Sequence, residues 1–187
     1  MRTISNAFAE LFGVATTAKR HNTTLDRSVV RDFEIEDFAG VWYQIARLEG
    51  EGERELSNVS ATFLVDADGM IEMHTEGFNP ARQMFEVAHH RVYVPDSERS
   101  ASMKVAGLPW TDREINILEV DADYNFALVG GRSADRLWIL SRVPFIPVDD
   151  LSYLVARALE RGYDISGLTF PDHCPVLSQE EALALAV

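Results

Sequence analysis

Val59-Ser60-Ala61-Thr62-Phe63-Leu64-Val65-Asp66-Ala67-Asp68-Gly69-Met70-Ile71-Glu72-Met73-His74-Thr75 is the stretch that decides the fold class. Val59, Ala61, Phe63 and Val65 share one face of an extended segment, with Ser60 and Thr62 on the other, a period of two that belongs to a strand. Asp66 to Gly69 supplies hairpin chemistry, because Asp and Gly tolerate the positive φ that tight turns demand. Ile71, Met73 and Thr75 then resume the alternation.

Outward from this hairpin, turn signals recur at intervals of roughly ten residues, as in an all-β meander. They are Phe78-Asn79-Pro80, Pro95-Asp96-Ser97, Gly107 to Asp112, Asp121-Ala122-Asp123 and Arg132 to Asp135. Between them Met103 and Val105, Ile115 and Ile117, then Phe126, Leu128 and Gly130 carry the apolar face, and counting the runs predicts eight strands. Eight antiparallel strands closed into a barrel leave no open edge and suit one small ligand. Ala127 to Val129 and Leu137 to Leu140 have no polar member, so those strands need cover on the outside as well.

That cover is predicted to be a helix after Pro147, with Asp149 and Asp150 in its first turn, where the macrodipole favours acids. Leu151, Leu154, Val155, Ala158 and Leu159 fall on one side of it, Arg157 and Arg161 in its later turns, and Gly162 ends it. The fold expected is therefore all-β: an eight-stranded up-and-down barrel with one C-terminal helix packed outside, over residues 33–170. Residues 1–32 read as an extension and 171–187 as a tail, with a short ninth strand within Ile165 to Phe170 and a helical turn or two within Gln179 to Ala186.

Composition narrows the partners. The chain has 187 residues, a formal net charge of −13 and no basic block, which argues against nucleic acid and against electrostatic docking on anionic lipid. Cys174 is the only cysteine, so neither an internal disulfide nor a thiolate metal cluster can form. Asn6 and Glu10 interrupt any run of signal-peptide length, and no cysteine near the start can be lipidated. The expectation on these grounds is a cytoplasmic protein, with a periplasmic or outer-membrane-associated one as the alternative. Peripheral membrane association and a homodimer are left open.

Gly40-Val41-Trp42-Tyr43-Gln44-Ile45-Ala46-Arg47, preceded by Phe38, resembles the first signature of the lipocalin family. Asp121-Ala122-Asp123-Tyr124 resembles the turn before the seventh strand in that family, and Arg142 follows the eighth. The segments Gly77-Phe78-Asn79-Pro80 and Leu137-Trp138-Ile139-Leu140-Ser141-Arg142 are similar to the branch of bacterial lipocalins and apolipoprotein D. The resemblance implies that Gly40, Trp42, Tyr43, Asp123, Tyr124 and Arg142 are architectural, that Trp42 plugs the closed end, and that Arg142 lies across it in a cation–π contact worth about 1–2 kcal/mol. It also implies binding of a fatty acid, lysophospholipid or other small hydrophobic compound, for storage or transport, with no cofactor.

Inward positions expected to meet that ligand are Val59, Phe63, Ile71, Met73, Met103, Val105, Ile117, Leu128 and Trp138. The same residues could fill a solid core. Strict alternation also turns Glu119 inward with Ile115 and Ile117, where a carboxylate is costly unless paired; a strand end or bulge that releases it to solvent is the simpler reading. Two other functions stay open: a lipocalin-fold isomerase or cyclase, and a pigment carrier. His74, His89, His90, His173 and Cys174 form no recognised catalytic or metal constellation. His89 and His90 are adjacent in a strand and must point to opposite faces, and the phase of His74 puts it outside.

Overall fold

The computed structural model describes residues 2–3, 24–48, 56–106 and 113–173. Its strands are β1 (Gly40–Leu48), β2 (Ser57–Val65), β3 (Ile71–Asn79), β4 (Met84–Tyr93), β5 (Ser102–Val105), β6 (Arg113–Val120), β7 (Phe126–Gly130) and β8 (Leu137–Ser141). Each pairs antiparallel with the next, and β1 pairs also with β8, so the eight close into a barrel. A ninth strand, β9 (Leu168–Phe170), lies beside the end of β1, with Leu168 opposite Leu48, and carries Arg2–Thr3 on its other edge.

Local chemistry explains the turns. Asp66 Oδ1 accepts from the backbone N–H groups of Asp68 and Met70 at 2.9 and 2.8 Å, and Gly69 sits at φ +77°. Asp121 plays the same part between β6 and β7, accepting from the N–H of Asn125 at 2.7 Å and of Phe126 at 2.6 Å. The turn expected at Gly107 to Asp112, the lone Cys174 and the helical turn within Gln179 to Ala186 lie outside the described residues.

Helix α2 (Val148–Glu160) is the expected outer cover. Leu151, Leu154, Val155 and Ala158 are buried against Leu118, Leu128, Leu137 and Ile139, which face outward from the barrel. A second, inner layer holds Phe33, Phe38, Trp42, Phe63, Ile71, Met103 and Ile117. A four-residue helix, α1 (Ile35–Phe38), carries Phe38 into that layer, a feature the strand count did not foresee. Residues 24–32 lie against the barrel, where Asp26 N–H donates to Arg161 O and Val30 N–H to Ile117 O.

Two bulges break the alternation. In β6 the register shifts between Ile117, opposite Val129, and Glu119, opposite Leu128. Leu118 and Glu119 therefore both turn outward, and with the phase of β7 set by Ala127 and Val129 in the inner layer, Leu128 faces the helix. In β1 the shift falls between Gln44, opposite Leu140, and Ala46, opposite Ile139. Ile45 and Ala46 join the outer layer, and Arg47 comes round opposite Trp138 on the inner face.

Candidate functional site

The closed end is built from the N-terminal side of β1. Gly40 has φ +100°, a backbone that favours glycine, and a Cβ there would come within 3.2 Å of an Arg142 nitrogen. Trp42 is fully buried, its indole N–H donating to Phe38 O at 2.8 Å and its ring stacked on Phe38 at 4.5 Å. The Arg142 guanidinium lies 3.9 Å from the centre of the Trp42 ring. It donates to four backbone carbonyls: Asp37 at 2.7 Å, Ala39 at 2.8 Å, Tyr124 at 3.0 Å and Val41 at 3.2 Å. One cation thus ties α1, β1 and the β6–β7 turn together, and burial lowers its pKa from the ordinary arginine value. The Tyr124 hydroxyl accepts from Glu34 N–H at 3.2 Å, whereas Asp123 is exposed and Asp121 caps the turn.

Above this plug lies a cavity of about 740 Å³, within the range of small-molecule sites. Of the nine expected lining residues, Val59, Phe63, Met73, Val105 and Trp138 border it. Ile71, Met103 and Ile117 belong to the inner layer packed with Phe33, Phe38 and Trp42, and do not border the cavity. Leu128 lies outside the barrel wall, under α2.

The lining also contains polar groups that alternation missed: Gln44 and Arg47 on β1, Glu86 on β4, Glu114 on β6, and Arg132 and Arg136 near the β7–β8 turn. Arg47 is 1% exposed and donates to Gln44 Oε1 at 3.2 Å and Leu56 O at 3.5 Å. Without the β1 bulge it would point to the outer face, so no periodic reading of the sequence could have found it. Glu119, by contrast, leaves the interior. The bulge takes it outward as the simpler reading required, but it meets α2 instead of water: Glu119 Oε1 accepts from Arg157 Nη2 at 2.7 Å and Arg161 Nη2 at 2.9 Å. Hydrogen bonds to Glu119 raise the Arg157 pKa further.

His74 and His89 stand opposite each other on the outer face, ring centres 4.1 Å apart, and His90 is paired with Met73 on the inner one. His173 bonds Gln44 O at 2.9 Å through Nε2. Among the described residues no three His, Cys, Asp or Glu side chains gather at metal-binding distance. The arrangement is a mostly apolar chamber, closed at one end, that takes one small hydrophobic molecule.

Residues 33–173 match the lipocalin-like domain family. The chain is 34% identical over 139 residues to the outer membrane lipoprotein Blc of Escherichia coli (strain K12), covering 74% of this chain and 78% of that one. It is 28% identical over 189 residues to apolipoprotein D of Mus musculus, covering 94% and 98%. Among solved structures, insecticyanin from the tobacco hornworm Manduca sexta superposes with a TM-score of 0.66 at 19% identity, covering 82% of this chain and 87% of that one. These relatives correct the expected location: outer membrane lipoproteins from Citrobacter freundii, Escherichia coli and Vibrio cholerae point to the cell envelope, and the cytoplasmic reading drawn from the first residues gives way to them. The plugged barrel, the Trp42–Arg142 pair and the match over residues 33–173 have one meaning, and the chain belongs to the lipocalin family.

Proposed function

We propose that the barrel binds a single-chain lipid, a fatty acid or lysophospholipid, and stores or carries it in the cell envelope. The observation that carries this reading is the cavity of about 740 Å³ whose wall includes Val59, Phe63, Met73 and Val105, with Phe63 packed on the buried Phe38 of the plug. Each methylene taken from water there contributes about 0.8 kcal/mol before ordering costs, enough for a long acyl chain to reach micromolar affinity. Met73 adds a side chain that adapts to differing chain shapes. The envelope assignment is drawn from the outer membrane lipoproteins among the relatives.

The test is to purify the protein natively, extract and identify any bound lipid, then titrate the stripped protein with long-chain fatty acids and lysophospholipids while following tryptophan fluorescence. Saturable one-to-one binding is expected. A protein that retains no lipid and gives no saturable response would overturn the reading.

A further inference from the structure

We propose that His74 and His89 form a binding site for a divalent transition-metal ion, Zn²⁺ first among them, on the outer face of the β3–β4 hairpin. The site lies outside the barrel and is independent of the lipid reading above.

Register is the first argument. β3 and β4 pair without a shift over nine consecutive positions, from Ile71 opposite Val92 to Asn79 opposite Met84, and His74 falls directly opposite His89. Side chains opposed in this way have Cβ atoms about 4.5–5.5 Å apart. The two imidazole rings stand 4.1 Å apart, centre to centre and edge to face. An ion held about 2.0–2.1 Å from each of two nitrogens needs them roughly 3 Å apart. That separation is within reach of rotation about the soft χ2 torsions, with the ladder left as it is.

Ligand chemistry is the second argument. Neutral imidazole suits zinc, copper and nickel. Glu72, two residues before His74 on the same face of β3, brings Oε2 to 3.3 Å from His74 Nε2. With Nε2 donating its proton to that carboxylate, Nδ1 keeps its lone pair for a metal, and the carboxylate behind the ring raises its basicity. Among the described residues no third His, Cys, Asp or Glu joins the group at ligand distance. The protein therefore supplies two nitrogens, and water completes the coordination.

Access and charge are the third. The His74 side chain is 31% exposed and His89 is exposed as well, so an ion reaches both from solvent. Arg91, opposite Glu72, opposes its approach. Glu72 and Glu76 stand two residues to either side of His74, the latter hydrogen-bonded by Ser60 at 3.3 Å, and together they outweigh that one cation. The net charge of −13 adds a general attraction for cations. An ion bridging the pair would join two strands whose Met73, Thr75 and Ala88 line the cavity, and so would brace that part of the wall.

The experiment titrates protein without an affinity tag with Zn²⁺ by calorimetry and records the imidazole resonances by NMR. Wild type is compared with His74→Gln, His89→Gln and Glu72→Ala, each checked for fold by circular dichroism. One-to-one binding with a micromolar Kd is expected, weakened about tenfold or more by either histidine variant and severalfold by Glu72→Ala. Cu²⁺ should bind more tightly than Zn²⁺. Saturating Zn²⁺ should raise the Tm of wild type by roughly 3–6 °C and leave that of the histidine variants unmoved.

No saturable binding, or an affinity unchanged in His74→Gln or His89→Gln, overturns the site. Mg²⁺ binding as tightly as Zn²⁺ also overturns it, because that ion seeks oxygen ligands and would assign the binding to carboxylates. If a variant does not fold, the wild-type spectra decide: Zn²⁺ shifts confined to the His74 and His89 rings support the site, and shifts confined to other histidines refute it.

Discussion

Replacing Tyr163 by phenylalanine should stabilise the protein, most of all at high pH. Tyr163 follows the Gly162 stop of α2, is 2% exposed, and among the described residues its hydroxyl has no hydrogen-bond partner. A buried polar group left unsatisfied costs about 1–3 kcal/mol, so Tyr163→Phe should be at least as stable as wild type at pH 7. Burial also pushes the phenol from 10.0 up to about 12. Because the folded value is raised, the neutral form contributes stability fully below pH 10, and this is lost as pH rises from 10 through 12. Two units correspond to about 3 kcal/mol, and the phenylalanine variant escapes that loss. Gly130 gives an internal control: a Cβ there would lie 2.2 Å from the Tyr163 hydroxyl oxygen and 2.8 Å from Leu118 Cδ1. Gly130→Ala should therefore destabilise strongly, and Tyr163→Phe should relieve part of the damage in the double variant. Urea unfolding of the four proteins from pH 7 to 11.5 tests all of this. A Tyr163→Phe protein less stable than wild type at pH 7, or one that loses as much stability as wild type between pH 9 and 11.5, refutes the reasoning.

Glu119→Ala removes the carboxylate shared by two arginines. With Arg161 still donating to Ser28 O and Leu118 O, the cost should be about 2–3 kcal/mol, read as a fall in Tm of roughly 5–10 °C; a change below about 1 °C would mean that the clamp is not structural. Leu128→Ala should cost about 2–5 kcal/mol yet leave the oleate Kd within about twofold, whereas Met73→Ala should weaken oleate binding severalfold through lost apolar contact; the reverse pattern in a fluorescence titration would place Leu128 in the cavity wall. Arg142→Lys keeps the charge but not the fork that reaches four carbonyls and covers the Trp42 ring, so it should lower stability by about 2 kcal/mol or more, and calorimetry with unchanged Tm would rule that out.

The parts legible in the sequence are those where one local rule acts undisturbed. Asp66 and Gly69 mark a turn because their own side chain and backbone make it, and the stripe from Leu151 to Ala158 marks a helix face because nothing interrupts a period near 3.6. The need for outer cover on β7 and β8 followed from their lack of polar residues, and α2 supplies it. The Trp42–Arg142 contact, spanning a hundred residues, was accessible only through family resemblance. Illegible were features set by long-range register: Leu128, Glu119 and Arg47 each sit where counting by twos misplaces them, and α1 is too short to leave a periodic trace.

The two bulges act in opposite senses on charged residues. In β6 the additional residue turns a carboxylate out of the barrel, where two helix arginines receive it and fasten α2 to the wall. In β1 it turns an arginine in, beside Trp138 and the cavity. Had both strands kept strict alternation, Glu119 would face the interior and Arg47 the outside. Which charged side chains face inward in this barrel is thus decided less by the order of residues along the strands than by where a single residue slips from the ladder, a choice that leaves the surrounding apolar pattern intact.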